Sequence, residues 1–508
     1  MTTVTLDGGP LTRSEVVEVA YGRADVVPDA KLTDRMSASR SVVENAVEAG
    51  QIIYGITTGF GALSNTAVDP DQAEALQVSL LRSHAGGVGD PLPDELVRGM
   101  LLLRARTLAQ GYSGVRPALV ERYLDLLQFG LLPVVPSQGS VGASGDLAPF
   151  AHLALPLIGE GFLKSAGKAR PSSEVLQDHG LDPLVLGAKE GLALLNGTEG
   201  MLTFGVLGLH RAELLAQAAD AAAACSVDAL QASSRPFRAE VHQLRPHPGQ
   251  GASAALIAAL LVGSEIEAAH RDDFVHAVQD AYSLRCAPQV HGAVRDTNDF
   301  AATVFDRELG SVVDNPVVLP ETAEIISAGN FHGQPLAFAL DFLAIAVTEL
   351  SSISERRTDR LLDPERSDGL PPFLAASPGV ESGYMLAQYT AAALVAENRV
   401  LSHPASVESI PTSGSQEDHV SMGWGAGRKL WDVLENAERV VAIELLCAAQ
   451  GLDYRAPRKP GEGVSRVHAA VRAQVPTLSS DRIIAPEIET VAEMIRTGEI
   501  ATAAVPAK

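Results

Sequence analysis

The sequence predicts a mainly α protein built around a bundle of long helices, and three observations predict it. Of 508 residues, 46% are hydrophobic but only 5% aromatic, and Ala, Leu and Val dominate the apolar share. Small aliphatic side chains favour closely packed helices. Apolar residues also recur at helical spacing between recognisable start and stop signals. Finally, glycine and proline gather in the connections rather than inside the periodic segments. A chain this long exceeds one compact domain.

The helices follow in order. In DELVRGMLLLRARTLAQG, Leu96, Met100, Leu103 and Thr107 share a face and Gly111 is the stop. In RPALVERYLDLLQFG, Pro117 suits the first turn, Val120, Tyr123, Leu124 and Leu127 form a stripe, and Gly130 ends it. The next stretch, LLPVVPSQGSVGASGDLAP, breaks the rhythm and reads as a loop before FAHLALPLIGEG. LLPVV is one of few short strand signals. Four longer segments then appear: GMLTFGVLGLHRAELLAQAADAAAACSVDALQ, GASAALIAALLVGSEIEAAHRDDFVHAVQ, QPLAFALDFLAIAVTELSSISERRTDRLL and GWGAGRKLWDVLENAERVVAIELLCAAQ. Apolar nearly all round, they demand mutual burial. Charges every few residues make them bundle helices rather than membrane spans.

Composition narrows the function. With 39 Lys plus Arg against 62 Asp plus Glu, the formal charge is -23, and no basic stripe follows a phosphate backbone, so nucleic acid is not an expected partner. Cys225, Cys286 and Cys447 lie far apart without a CxxC pair, which predicts neither a disulfide framework nor structural zinc. The N-terminus carries no basic segment followed by an apolar core, and the expectation is a soluble cytoplasmic protein away from membranes.

Several motifs fail on inspection. GASGD places Asp146 where a nucleophile elbow requires glycine, and no convincing buried strand precedes it. Neither a phosphate-binding loop nor a dinucleotide fingerprint is present. The pairs His242/His247 and His270/His276 invite a metal reading, but their spacing does not suit helical ligands, and no metal is expected. Asp418 and His419 beside Glu417 read on spacing alone as a solvated helix start after Ser413 and Ser415.

What remains is the triplet Ala143-Ser144-Gly145. No ordinary side chain is a good electrophile, so an enzyme needing an electron sink borrows a cofactor or makes one. A backbone bend pressing the Gly145 nitrogen against the Ala143 carbonyl carbon closes a five-membered ring, and loss of the Ser144 hydroxyl as water leaves an exposed methylidene. Glycine leaves its nitrogen unobstructed, serine carries the hydroxyl to be lost, and alanine is small.

GSVGASGDLAP at 139–149 resembles the electrophile-forming loop of the aromatic amino acid ammonia-lyase family. The resemblance runs on through YGITTGFG at 54–61, RSHAGGVG at 82–89, LLNGTEGM at 194–201, RPHPGQGAS at 245–253, QDAYSLRCAPQVHG at 279–292, DNPVV at 314–318, GNFHG at 329–333 and QEDHVSMGW at 416–424. It implies a 4-methylideneimidazole-5-one (MIO) made from Ala143, Ser144 and Gly145, with no external cofactor. Asp146 is implied to assist the dehydration, Tyr54 to take the β-proton or act as acid and base, and Asn196 to bond the electrophile or the leaving amine. Arg285 is implied to grip the substrate carboxylate, Gln279 and Tyr282 to line the site, and Phe331 to pack against the substrate ring. His84 and Glu417 match the histidine branch of the family, since buried polar groups left unpaired cost about 1–3 kcal/mol each. The implied reaction converts L-histidine to trans-urocanate and ammonia. Tyrosine or phenylalanine ammonia-lyase, or an aromatic 2,3-aminomutase, is the alternative. The resemblance also implies an ammonia-lyase-like fold, with a smaller N-terminal domain at 1–190 bearing the loop and a long central helical bundle with C-terminal helices at 191–508, and a homotetramer with sites shared between chains.

Overall fold

The computed structural model describes residues 2–61, 72–271 and 278–505. Two compact units emerge, each assembled from three stretches of chain. One comprises Met1–Leu207, Ala302–Asp341 and Pro404–Arg428; the other comprises Gly208–Ala301, Phe342–His403 and Lys429–Lys508. Helices dominate, and the sheets among the described residues have two or three short strands.

The first unit starts with a strand, Thr2–Leu6, paired in parallel with Ala24–Pro28 through the helix Arg13–Ala20. Thr12 caps that helix and Glu15 reaches back in a capping box, as a Thr-x-x-Glu start dictates. Asp94–Ala109 and Pro117–Phe129 form the two expected helices, the second closed by Gly130 in a left-handed cap at φ 65°. Asp94–Ala109 is buried far beyond the predicted stripe: residues 99–109 are all inside. The LLPVV strand signal resolves into Leu132–Pro133, which pairs with Phe162–Ser165.

An ion pair sits in this core. Lys189 Nζ lies 2.8 Å from Asp314 Oδ2 with both side chains at 0% exposure, and burial draws the lysine below its ordinary pKa against the pull of Asp314. Removing one partner of such a pair strands the other charge, at a cost of about 3–5 kcal/mol. Lys189→Met is expected to lower the thermal midpoint accordingly. Adding Asp314→Leu is expected to recover part of the loss, and equal midpoints for Lys189→Met and wild type would contradict this.

In the second unit, the part of helix Glu199–Ala229 beyond Gly208 is alanine-rich and fully buried at Ala218, Ala219 and Ala221–224. Arg211 makes a two-point bond to Glu438, 2.8 Å at each oxygen, and its guanidinium covers the Trp431 ring at 4.4 Å. The segment GASAALIAALLVGSEIEAAHRDDFVHAVQ is not one helix. It breaks into Pro248–Leu260 and Glu265–Arg271, because Gly263 turns left-handed at φ 77° and the Ser264 hydroxyl caps the second piece by accepting from the Glu267 amide at 3.0 Å. Residues 272–277, including His276, lie outside the described residues.

Helix Gln334–Leu362 is long and apolar enough to span a membrane, but 67% of its apolar window is buried within the protein, which marks a core helix. Among the described residues, no group of His, Cys, Asp or Glu is arranged to hold a metal ion.

Candidate active site

The Ala-Ser-Gly loop is built from backbone pressure. Ser144 is held at φ 51° and Gly145 at φ 81°, so two successive residues occupy the left-handed region. A Cβ on Gly145 would lie 1.9 Å from the Gly197 carbonyl oxygen, and one on Gly142 would lie 2.2 Å from Ser421 Oγ. Only glycine passes at either place. The Gly197 carbonyl accepts from the Asp146 amide at 2.7 Å, and the Val141 carbonyl accepts from the Met422 amide at 2.9 Å, pinning the loop at both ends.

The Ser144 hydroxyl donates to Asn196 Oδ1 at 2.6 Å, while Asn196 Nδ2 donates to the Asn315 carbonyl at 2.6 Å. Because a carbonyl only accepts, Asn315 fixes which end of the Asn196 amide meets the serine. Arg104 bonds the Asn196 carbonyl and, at 3.1 Å, Glu199. Asp146 is fully buried. Its Oδ2 accepts from the Met201 amide at 2.9 Å, and Oδ1 has no partner among the described residues. Burial, with Glu199 adding to it, raises its pKa well above the ordinary carboxylate range, against the pull of the Met201 and Gly200 amides.

A cavity of about 430 Å³ opens beside Ser144, and Tyr54, His84, Ser144, Asn196 and Glu417 all line it. His84 ends the helix Ala73–His84, and its Nδ1 lies 2.9 Å from the Leu80 carbonyl. That oxygen accepts only, so Nδ1 carries the hydrogen and the neutral ring keeps Nε2 as an acceptor. Burial lowers the His84 pKa, opposed by the Leu80 bond and the Glu417 charge, and so favours this neutral form. Glu417 does not begin a helix. It pairs with Thr412 through backbone bonds of 3.0 and 3.4 Å, and its Oε2 accepts from the Thr412 hydroxyl at 2.9 Å. The nearby helix begins only at Gly423, which corrects the expected helix start at Asp418 and His419.

Tyr54 Oη accepts from the Gly61 amide at 3.3 Å, and its ring meets Phe60 edge-on with centroids 6.4 Å apart. Burial raises the phenol above its ordinary pKa of 10.0 and the Glu417 charge adds to this, while the Gly61 amide opposes. Phenolate action needs a positive surrounding, and these groups provide the reverse.

Phe331, a half-buried turn residue of the first unit, does not line this cavity. Gln279, Tyr282 and Arg285 belong to the second unit, and they too are absent from the cavity lining. Gln279 is exposed, and Tyr282 is 72% exposed with the Arg285 guanidinium 4.7 Å above its ring. Arg285 Nε is buried without a partner among the described residues. Sequence reasoning missed Phe60, Leu80 and Leu192 on the wall. Leu76, Leu80 and His84 recur every four residues, a helical face that was available to read. Thr412 had no such signal.

The family model described as aromatic amino acid lyase matches residues 11–473. The chain is 49% identical to the histidine ammonia-lyase of Koribacter versatilis over 99% of this chain and 100% of that protein. It is 52% identical to the histidine ammonia-lyase of Deinococcus radiodurans, over 96% and 93%. Among solved structures, histidine ammonia-lyase from Trypanosoma cruzi superposes with a TM-score of 0.91 at 42% identity, covering 99% of this chain and 96% of that one. Tyrosine aminomutase from Streptomyces globisporus superposes with a TM-score of 0.92 at 41% identity, covering 99% and 98%.

Proposed function

We propose that this chain, which belongs to the aromatic amino acid lyase family, eliminates ammonia from L-histidine without oxidation and releases trans-urocanate. The observation that carries the reading is the cavity itself, where a neutral His84 and the Glu417 carboxylate share a wall with Ser144 and Asn196. Two acceptors suit the two N–H groups of a protonated imidazole ring and would meet no donor on a phenyl ring. Curated relatives at about half identity along the full chain carry that activity in their names.

Enzymes of this family are MIO enzymes, and the Ala143-Ser144-Gly145 bend fits formation of that group here: the left-handed backbone, the glycine without a side chain and the buried, half-partnered Asp146, its pKa raised, all suit a dehydrating ring closure. Once formed, the group supplies an electrophilic carbon for the substrate amine. Asn196, oriented by Asn315, presents its amide to that carbon's surroundings. Arg285 grips the carboxylate through paired donors. Tyr54, kept protonated by burial, serves as the acid near the leaving amine, and Tyr282 serves as the base for the β-proton. Gln279 lines the carboxylate end and Phe331 covers the imidazole face. The exposure of Tyr282 and Gln279 supports a homotetramer in which neighbouring copies supply Gln279, Tyr282, Arg285 and Phe331 to each cavity. The enzyme acts in the cytoplasm with no nucleic acid or membrane partner.

Tyr54→Phe is expected to lower kcat by about 10²–10⁴, the usual worth of a positioned acid or base. The sign with pH follows from the raised phenol: the group is protonated through neutral and mildly alkaline pH and loses its proton only above 10.0. The ratio of wild-type to Tyr54→Phe rates cancels substrate titrations. It is expected to stay level to about pH 10 and then fall. A ratio that climbs steadily with pH would make Tyr54 the base instead.

The likeness to tyrosine aminomutase at equal superposition favours one second reading, turnover of tyrosine or phenylalanine on the same loop. Separate assays with L-histidine, L-tyrosine and L-phenylalanine decide between them. Urocanate from histidine is expected. Coumarate or cinnamate without urocanate would overturn the histidine assignment, and an ammonia-free β-amino acid would indicate a mutase.

A further inference from the structure

The segment carrying Tyr282 and Arg285 is a four-residue helix, Tyr282–Arg285, too short to hold its own shape. Its outer side is open, with Tyr282 exposed and Val278 fully exposed. Its inner side hangs on a buried polar chain. The Ser283 carbonyl accepts from Arg357 Nη1 at 3.3 Å. Arg357 has 0% side-chain exposure and is bound to Glu444 through Nε at 2.5 Å and Nη2 at 2.8 Å.

The same Arg357 Nη1 lies 3.3 Å from His291 Nε2, and His291 Nδ1 lies 2.7 Å from Asp220 Oδ1, with His291 and Asp220 both fully buried. An ionised carboxylate only accepts, so the hydrogen sits on Nδ1 and Nε2 offers its lone pair to the guanidinium. Arg357 is thus gripped on one edge by Glu444 and steadied on the other by His291, which leaves its remaining donor aimed at a single backbone oxygen. A buried guanidinium needs its remaining donors satisfied, and here the last of them is met by the backbone of a surface turn, so the contact that completes the buried pair also holds that turn in place.

We propose that Arg357 and His291 are positioning residues for the reaction: they fix the backbone on which Tyr282 and Arg285 stand and so set where Arg285 meets the substrate carboxylate. This rests on the reading of Arg285 as the carboxylate grip. Neither residue touches substrate.

The test uses the full-length protein in paired variants. In His291→Asn the shorter amide still reaches Asp220 but not Arg357, whereas in His291→Gln the amide reaches Arg357. His291→Asn is expected to raise the KM for L-histidine about tenfold, the worth of one charged hydrogen bond, and to change kcat less than about threefold. Inhibition by imidazolepropionate, which has the carboxylate, is expected to weaken in parallel, while inhibition by histamine, which lacks it, stays unchanged. His291→Gln is expected to restore both values. If His291→Asn does not fold, Arg357→Lys keeps a charge for Glu444, loses the bond to Ser283 and carries the same expectation. On an Arg285→Ala background either variant is expected to add no further rise in KM. A rise in KM for Arg285→Ala with none for His291→Asn or Arg357→Lys would overturn the inference alone. No rise in Arg285→Ala itself would overturn the carboxylate reading and the inference with it. Equal weakening of imidazolepropionate and histamine would show a merely structural role and overturn the inference.

Discussion

Ser144→Ala is expected to abolish turnover while leaving the fold intact. The substitution removes only the hydroxyl that must leave for a methylidene to form, and alanine has nothing to eliminate. Relative to the uncyclised chain, the bond it loses runs to Asn196 Oδ1 at 2.6 Å, at the edge of an open cavity, so the folded state gives up one part-buried hydrogen bond, about 1 kcal/mol. The catalytic loss is of another size. If the electrophile is the loop itself, kcat falls by at least ~10³, or more than about 4 kcal/mol of transition-state stabilisation at 1.36 kcal/mol per tenfold. Circular dichroism and a thermal melt check the fold, and urocanate release checks the rate. Substantial residual activity would count against the proposed chemistry.

Gly145→Ala is expected to be as severe by another route. Its hydroxyl donor, Ser144, is untouched, yet the new methyl would lie 1.9 Å from the Gly197 carbonyl oxygen, a backbone atom that cannot swing aside. The left-handed φ of 81° adds strain of order 1 kcal/mol. Moving the Gly197 carbonyl breaks its bond with the Asp146 amide and disturbs the neighbouring Asn196, whose side chain orients Ser144. The expected outcome is a triplet that remains uncyclised in peptide mass measurement, with activity below about 1% of wild type. Full cyclisation in Gly145→Ala would contradict the steric argument.

Much of this molecule was legible in its sequence. Pro117 and Gly130 mark a helix that runs from Pro117 to Phe129, because a fixed φ at the start and a left-handed residue at the end leave the chain little choice. Segment 334–362 reads as one helix and is one. The break after Leu260 was hidden because apolar residues continue on both sides of Gly263, Leu260 and Leu261 before it and Ile266, Ala268 and Ala269 after it, and apolar composition alone does not locate a turn. Asp94–Ala109 misled in degree: charged residues such as Arg104 and Arg106 look solvated in sequence, yet both are buried on carbonyls and Glu199.

The candidate site divides in the same way. Tyr54, His84, Ser144, Asn196 and Glu417 stand in separate motifs along more than 360 residues of chain, and the fold brings them to one cavity wall. What escaped notice works through backbone or through distant partners. Leu80 sets the tautomer of His84 with its carbonyl, Asn315 orients Asn196 with its own, and Thr412 steadies Glu417. A residue acting through its carbonyl leaves no chemical mark on its side chain, so no motif announces it.

The central claim, that the chain makes its own electrophile from three residues, is tested most directly by peptide mass measurement on freshly purified, active protein. The predicted result is a deficit of two waters confined to residues 143–145, absent in Ser144→Ala digested in parallel. An unmodified Ala143-Ser144-Gly145 in protein that releases urocanate would contradict it.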